Sequence, residues 1–228
     1  MTDKQSRIQA LIGSIVAFLN KKKHSDFGAA VTLAKLEQID SLNHQFINVP
    51  AVSTPHGKTL GKAIAGVTDP EMKVIADCIL AAKDDLVWRE DRGQFYEPGT
   101  NLGAGYTNCN LHTLLVGPDG CSFHHEDFLL GIFVLGPKTL YRDHKHKARE
   151  LYLNLSDRSG WRFEGAEWTD YQGGSVIWND SNKPHATRVY EKPFISVFAW
   201  TENISSKCTL VFRDDWEEIE HFLQTQNQ

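Results

Sequence analysis

From about residue 93 onward, short runs of β-branched and aromatic residues alternate with turn-forming breakers, and this constrains the fold more than any other feature. The runs occupy residues 109–116, 128–135, 139–146, 150–155, 160–164, 175–178, 185–189 and 194–201. Between them stand Gly117-Pro118-Asp119-Gly120, Gly136-Pro137, Asp157-Arg158-Ser159-Gly160 and Gly173-Gly174. Such spacing predicts an antiparallel sandwich or barrel, and closure into a barrel would hide the strand edges.

Before residue 93 the period changes to helical. Ile8, Leu11, Ile12, Ile15, Val16 and Leu19 share one helical face, and residues 27–42 continue the pattern. A further helix opens at Asp69-Pro70-Glu71, where Asp69 caps, Pro70 fits the first turn and Glu71 suits the amino-terminal dipole. It runs through Met72, Ile75, Ala76, Ile79 and Leu80. Residues 49–66, with their prolines and glycines, read as a loop. Residues 214–224 read as a final helix with Trp216, Ile219, Phe222 and Leu223 inward. The expected class is α+β, mainly β: a helical region over 1–92 packed on a barrel over 93–228.

At 228 residues and 41% apolar content, the chain can bury one proper core. A net charge of -5 with no basic stripe argues against nucleic acid as a partner. No apolar run approaches bilayer length, and the amino terminus lacks the apolar core of a secretory signal. Cys78, Cys109, Cys121 and Cys208 form no Cys-x-x-Cys pair. A cytoplasmic protein, bound to neither membrane nor nucleic acid, is expected. His24, His44 and His56 stand alone and read as exposed or structural.

The chemistry lies in Tyr141-Arg142-Asp143-His144-Lys145-His146-Lys147-Ala148-Arg149-Glu150-Leu151-Tyr152, with Pro184-His185 further on. Alternate strand residues face one side, so His144, His146, Glu150 and Tyr152 are expected to share a pocket. Together with His185 they offer three imidazoles and a carboxylate to one divalent transition metal ion: zinc, iron(II), manganese or nickel. Tyr141 is assigned to the same pocket. The charged residues Asp143, Lys145, Lys147 and Arg149 alternate with these positions and predict a wet opposite face. Leu151, Leu153 and Leu155 present an apolar face needing a cover, either the amino-terminal helices or a second copy in a homodimer.

Gly136, His144-x-His146-xxx-Glu150, Gly174 and Pro184-His185 resemble the two signatures of the cupin superfamily, whose fold is a double-stranded β-helix barrel. The chain departs from the common pattern in its longer gap from Gly136 to His144 and in lacking a Pro-x-Gly turn. One branch fits better. The Tyr141–Tyr152 stretch, Gly160-Trp161-Arg162-Phe163, Gly174-Ser175-Val176-Ile177-Trp178 and Phe198-Ala199-Trp200 look like the cupin-type dimethylsulfoniopropionate (DMSP) lyases. The resemblance covers roughly residues 100–202. It implies β-elimination of a small zwitterionic substrate to dimethyl sulfide and acrylate, with Tyr152 as general base.

Around that implied chemistry, Tyr141 is expected to assist the base or bind substrate. Aromatic faces suit a sulfonium through cation–π attraction, and Trp178 is the preferred cage residue ahead of Trp161, Trp200, Phe133 and Phe198. His124-His125 is a further polar pair near the barrel. The same ligand set would also serve a sugar isomerase, an iron dioxygenase or a non-enzymatic binding cupin.

Overall fold

The computed structural model describes residues 3–41 and 45–225. Leu42 and His44 lie outside them. The chain opens with four helices: α1 (Asp3–Lys22), α2 (Phe27–Ser41), α3 (Gly57–Ala65) and α4 (Pro70–Ala82). After a short helix α5 (Ala104–Asn108), strands follow: β1 (Asn110–Gly117), β2 (Phe123–His124), β3 (Leu129–Leu135), β4 (Leu140–Lys145), β5 (Glu150–Asn154) and β6 (Arg158–Phe163). Next come β7 (Thr169–Gln172), β8 (Val176–Asn179), β9 (His185–Arg188), β10 (Phe194–Trp200) and β11 (Thr209–Leu210), and helix α6 (Trp216–Thr225) ends the series. Among the described residues no helix is long and apolar enough to cross a membrane.

The strands form two sheets, ordered β2-β1-β3-β10-β5-β8 and β11-β4-β9-β6-β7. This is the cupin arrangement that the sequence resembles. Alternation along the first sheet sorts its side chains into two cores. Leu151, Leu153, Ile132, Val134, Ile195 and Val197 point outward and pack with Ile8, Leu11, Ile15, Met72, Ile75 and Ile79 of α1 and α4. Tyr152, Phe133, Phe194 and Trp200 point inward, among Tyr141, Trp161 and Val189 of the second sheet. A sheet covered on both faces explains why β3 is buried along its whole length. Each fully buried Leu or Ile adds about 1.5–3 kcal/mol. The leucine face is thus covered within one chain by the amino-terminal helices, one of the two covers that the sequence allowed.

The Asp69 cap is as expected: its carboxylate accepts from the Glu71 and Met72 amides at 2.9 and 3.0 Å. Three expectations are corrected. Helix α3 sits inside the segment read as a loop, because Leu60, Ala63 and Ile64 form a buried stripe that the nearby glycines and prolines obscured. Phe222 is 45% exposed, whereas Trp216 and Leu223 on the adjacent face are buried. The face of β4 expected to be wet carries Asp143 at 0% exposure. Helix α6 packs on β4 and covers it. Beneath the helix, Asp143 accepts from Arg162 Nε at 3.1 Å and from Trp216 Nε1 at 2.9 Å, while Arg162 also pairs with Asp215.

Candidate active site and metal centre

Three strands converge on one point between the sheets. β4 ends at the His-x-His pair, β9 begins with His185 directly opposite His144, and β5 begins with Glu150. The potential ligand atoms of His144, His146 and His185 lie within 4.8 Å of one another, all buried. Each imidazole is oriented by a main-chain carbonyl at Nδ1: Arg142 O for His144 (2.8 Å), Ala148 O for His146 (2.9 Å) and Lys183 O for His185 (3.0 Å). Bonding at Nδ1 fixes the proton there and leaves Nε2 as the free donor atom, the second-sphere arrangement of metal-binding histidines.

Glu150 closes the cluster. Its Oε2 stands 3.2 Å from His146 Nε2 and 3.4 Å from His185 Nε2. Trp200 Nε1 donates to Oε1 at 2.7 Å and Asn179 Nδ2 to Oε2 at 3.0 Å. Burial opposes ionisation of this carboxyl, but His146 and His185 outweigh it and hold it well below the usual carboxylate range. Burial, with His185 and His146 adding, pushes His144 well below the usual imidazole range. A neutral imidazole beside an ionised carboxylate is the protonation state that a metal needs.

A cavity of about 70 Å³ adjoins the cluster, well above the roughly 10–15 Å³ that one water requires. Glu150, Tyr141, Tyr152 and Trp200 line its inner end; Phe133, Phe198, Phe95, Leu114 and Leu129 wall it; Asp91, His112, Tyr106 and Cys208 complete it. Gly131 of β3 makes room for Phe198, since a Cβ there would stand 2.7 Å from that ring and 2.2 Å from Thr113 O. Tyr152 faces the cavity from β5 between Trp161 (5.0 Å between rings) and Phe133 (6.2 Å). Burial, followed by the Glu150 carboxylate, raises its phenol well above the ordinary value.

Tyr141 stacks on His144 at 4.2 Å. Strict alternation would turn this odd-numbered residue away from the even-numbered ligands. An irregularity between Tyr141 and His144, where three steps of β4 match two of β9, brings it back to their face. Tyr96 OH lies 2.9 Å from Tyr141 OH, and Tyr106 stacks on Tyr141 at 4.6 Å.

Trp178 needs correction. Ile177 stands opposite Tyr152 and Trp178 opposite Leu151, so the indole faces the helices rather than the cavity. It meets Phe27 edge-on at 5.5 Å, and Gly28 leaves space for it. His124 is exposed, bonded to Pro118 O, and neither it nor His125 lines the cavity. Sequence reasoning missed Asp91, Tyr96 and Tyr106, which come from segments without diagnostic periodicity, and His112 and Asn179, which lie in or beside expected strands but belong to no motif.

His112 carries a pH consequence. Burial, with Arg89 adding and Asp91 opposing, pushes its imidazole down to about 4 from 6.5. The unfolded chain therefore takes up this proton first as pH falls, and stability should decline from about pH 6.5 towards 4. Thermal melts across that window should show a shallower decline for His112→Gln than for wild type. An unchanged slope would remove His112 as the cause.

A double-sheet barrel holding three inward histidines and a glutamate beside a phenol-lined cavity defines a cupin with a centre suited to a divalent metal. The family described as dimethylsulfoniopropionate lyase matches residues 30–196. The chain belongs to that family. It is 27% identical over 176 residues to the dimethylsulfoniopropionate lyase DddQ of Ruegeria pomeroyi, covering 73% of this chain and 84% of that protein. The crystal structure of DddQ from the same organism superposes with a TM-score of 0.69 at 21% identity, covering 90% of this chain and 98% of that one. A chain from the crystal structures of the DMSP lyases RdDddP and RnDddQII gives 0.69 at 16% identity, covering 92% and 100%. At these identities the structural matches establish a shared fold.

Proposed function

We propose that the protein is a metal-dependent DMSP lyase releasing dimethyl sulfide and acrylate, with Tyr152 as general base. The observation that carries this reading is the meeting of His144, His146, His185 and Glu150 beside Tyr152 in a largely apolar cavity, in a member of this family. The donor set fits a divalent transition ion. In particular, His185 Nε2 is buried without a hydrogen-bond partner, which costs free energy unless something else is bound there. An ion held by these four side chains would supply a Lewis acid to the substrate carboxylate.

The chain's own groups account for the rest. Tyr152 takes the proton from the carbon next to the carboxylate. The released electron pair forms the carbon–carbon double bond, the carbon–sulfur bond breaks, and dimethyl sulfide departs with that bond's electrons. Tyr152 then returns its proton to solvent. Phe133, Phe198 and Phe95 take over the cage role from Trp178, each good face worth on the order of 1–2 kcal/mol towards a desolvated cation. They also exclude water. Tyr141, tied to Tyr96, positions the substrate. The apolar walls speak against a sugar isomerase, which needs hydrogen-bonding groups around many hydroxyls.

Metal-loaded protein given DMSP should release dimethyl sulfide and acrylate in equal amounts, with or without oxygen. Dialysis against a chelator should abolish release, and divalent ions should restore it. Absence of dimethyl sulfide from loaded protein would end the lyase reading. An oxygen requirement would favour a dioxygenase.

A further inference from the structure

We infer that Asp91 recognises the positive charge of the substrate, an inference that rests on the lyase reading and names the residue setting its charge preference. Asp91 is buried and lines the site cavity, while Glu150 and Tyr152 lie at the metal end. Its carboxylate accepts from Tyr106 OH at Oδ2 (2.8 Å) and from the Gly93 amide at Oδ1 (2.8 Å). Among the described residues no Lys or Arg forms an ion pair with it. A buried carboxylate served only by neutral donors lacks the counter-charge that such groups normally have.

Its position relative to the metal end follows from the stacked rings. Tyr106, which holds Asp91, stacks on Tyr141 at 4.6 Å, and Tyr141 stacks on His144 at 4.2 Å. The Tyr141 ring therefore lies between His144 and the Tyr106 ring whose hydroxyl holds Asp91. A ligand with an anion at one end, two methylene groups and a cation at the other fits between opposite poles of this kind. Asp91 attracts the sulfonium and repels the substrate carboxylate, so a reversed orientation is disfavoured at both ends. Asp91 is also shared with the lining of a second cavity of about 600 Å³, where Glu97 stands with the paired Glu90 and Arg92.

The test compares DMSP with 4-methylpentanoate, in which a neutral CH replaces the sulfonium sulfur. KM for DMSP and the inhibition constant of 4-methylpentanoate are measured from dimethyl sulfide release by the metal-loaded enzyme. Asp91→Asn should raise KM for DMSP about tenfold, or about 1.4 kcal/mol. It should leave inhibition by the neutral isostere unchanged or tighter. Tyr106→Phe removes the phenol bond but keeps the carboxylate, and should preserve the preference for the cation. The inference is overturned if both constants move together in Asp91→Asn, if neither moves, or if Tyr106→Phe collapses the preference equally. If wild type releases no gas, the lyase reading fails separately. Calorimetric affinities for the two compounds, read by the same criteria, then decide the role of Asp91.

Discussion

Tyr152→Phe should lower kcat for dimethyl sulfide release by roughly 10²–10⁴-fold, with KM little changed. The substitution removes one oxygen and keeps the ring that packs against Trp161 and Phe133, so the barrel wall stays intact. A base that acts only in the proton-transfer step affects kcat and kcat/KM together, whereas a residue that binds the ground state raises KM. In the bare protein, burial and Glu150 keep the phenol protonated. A cation held by the histidines acts in the opposite direction and favours phenolate. The variant should still bind one metal per chain, which separates loss of the base from loss of the ion. Full activity in Tyr152→Phe would sink the base assignment and leave the lyase reading standing.

Asp143→Ala should destabilise the fold by about 3–5 kcal/mol, because it strips the Arg162 guanidinium of its most buried partner. For a domain of this size that corresponds to a fall in Tm of roughly 6–20 °C. Asp143 accepts two bonds from Arg162 and one from the Trp216 indole, and the strand also takes an amide bond from Val211 to Asp143 O. These contacts anchor α6 to β4 one residue before His144. The loss should therefore extend to the centre, with weaker metal retention in the folded variant. Asp215→Ala removes a partly exposed partner of the same arginine and should cost clearly less. Equal melting temperatures for Asp143→Ala and wild type would show that the buried pair contributes nothing net.

Much of this architecture was legible from periodicity. The strand runs after residue 93, the α1 and α4 stripes and the Asp69 cap depend on local spacing, and each lies close to where the pattern placed it. The convergence of His144, His146, Glu150 and His185 followed from strand alternation plus a turn. The failures share a physical cause. Trp178 misses the cavity because pairing with β5, which sequence alone does not give, decides which face it occupies. Tyr141 does line the cavity as expected, but it gets there through an irregularity in one strand ladder rather than by alternation. Asp143 looked solvated because the partners that bury it, Arg162 and Trp216, arrive from elsewhere in the chain. Strands β2, β7 and β11 are short and lie at or near sheet edges, so they leave little pattern to read.

The three carbonyl bonds at Nδ1 have a consequence for assembly. A socket whose donors are aimed by peptide groups is shaped before anything enters it, so insertion need not wait for a folding step. One ion should exchange for another without remodelling the barrel. Were an ion held there, cellular supply rather than chain geometry would select it, and swapping it would retune the acidity of the site in an otherwise unchanged protein.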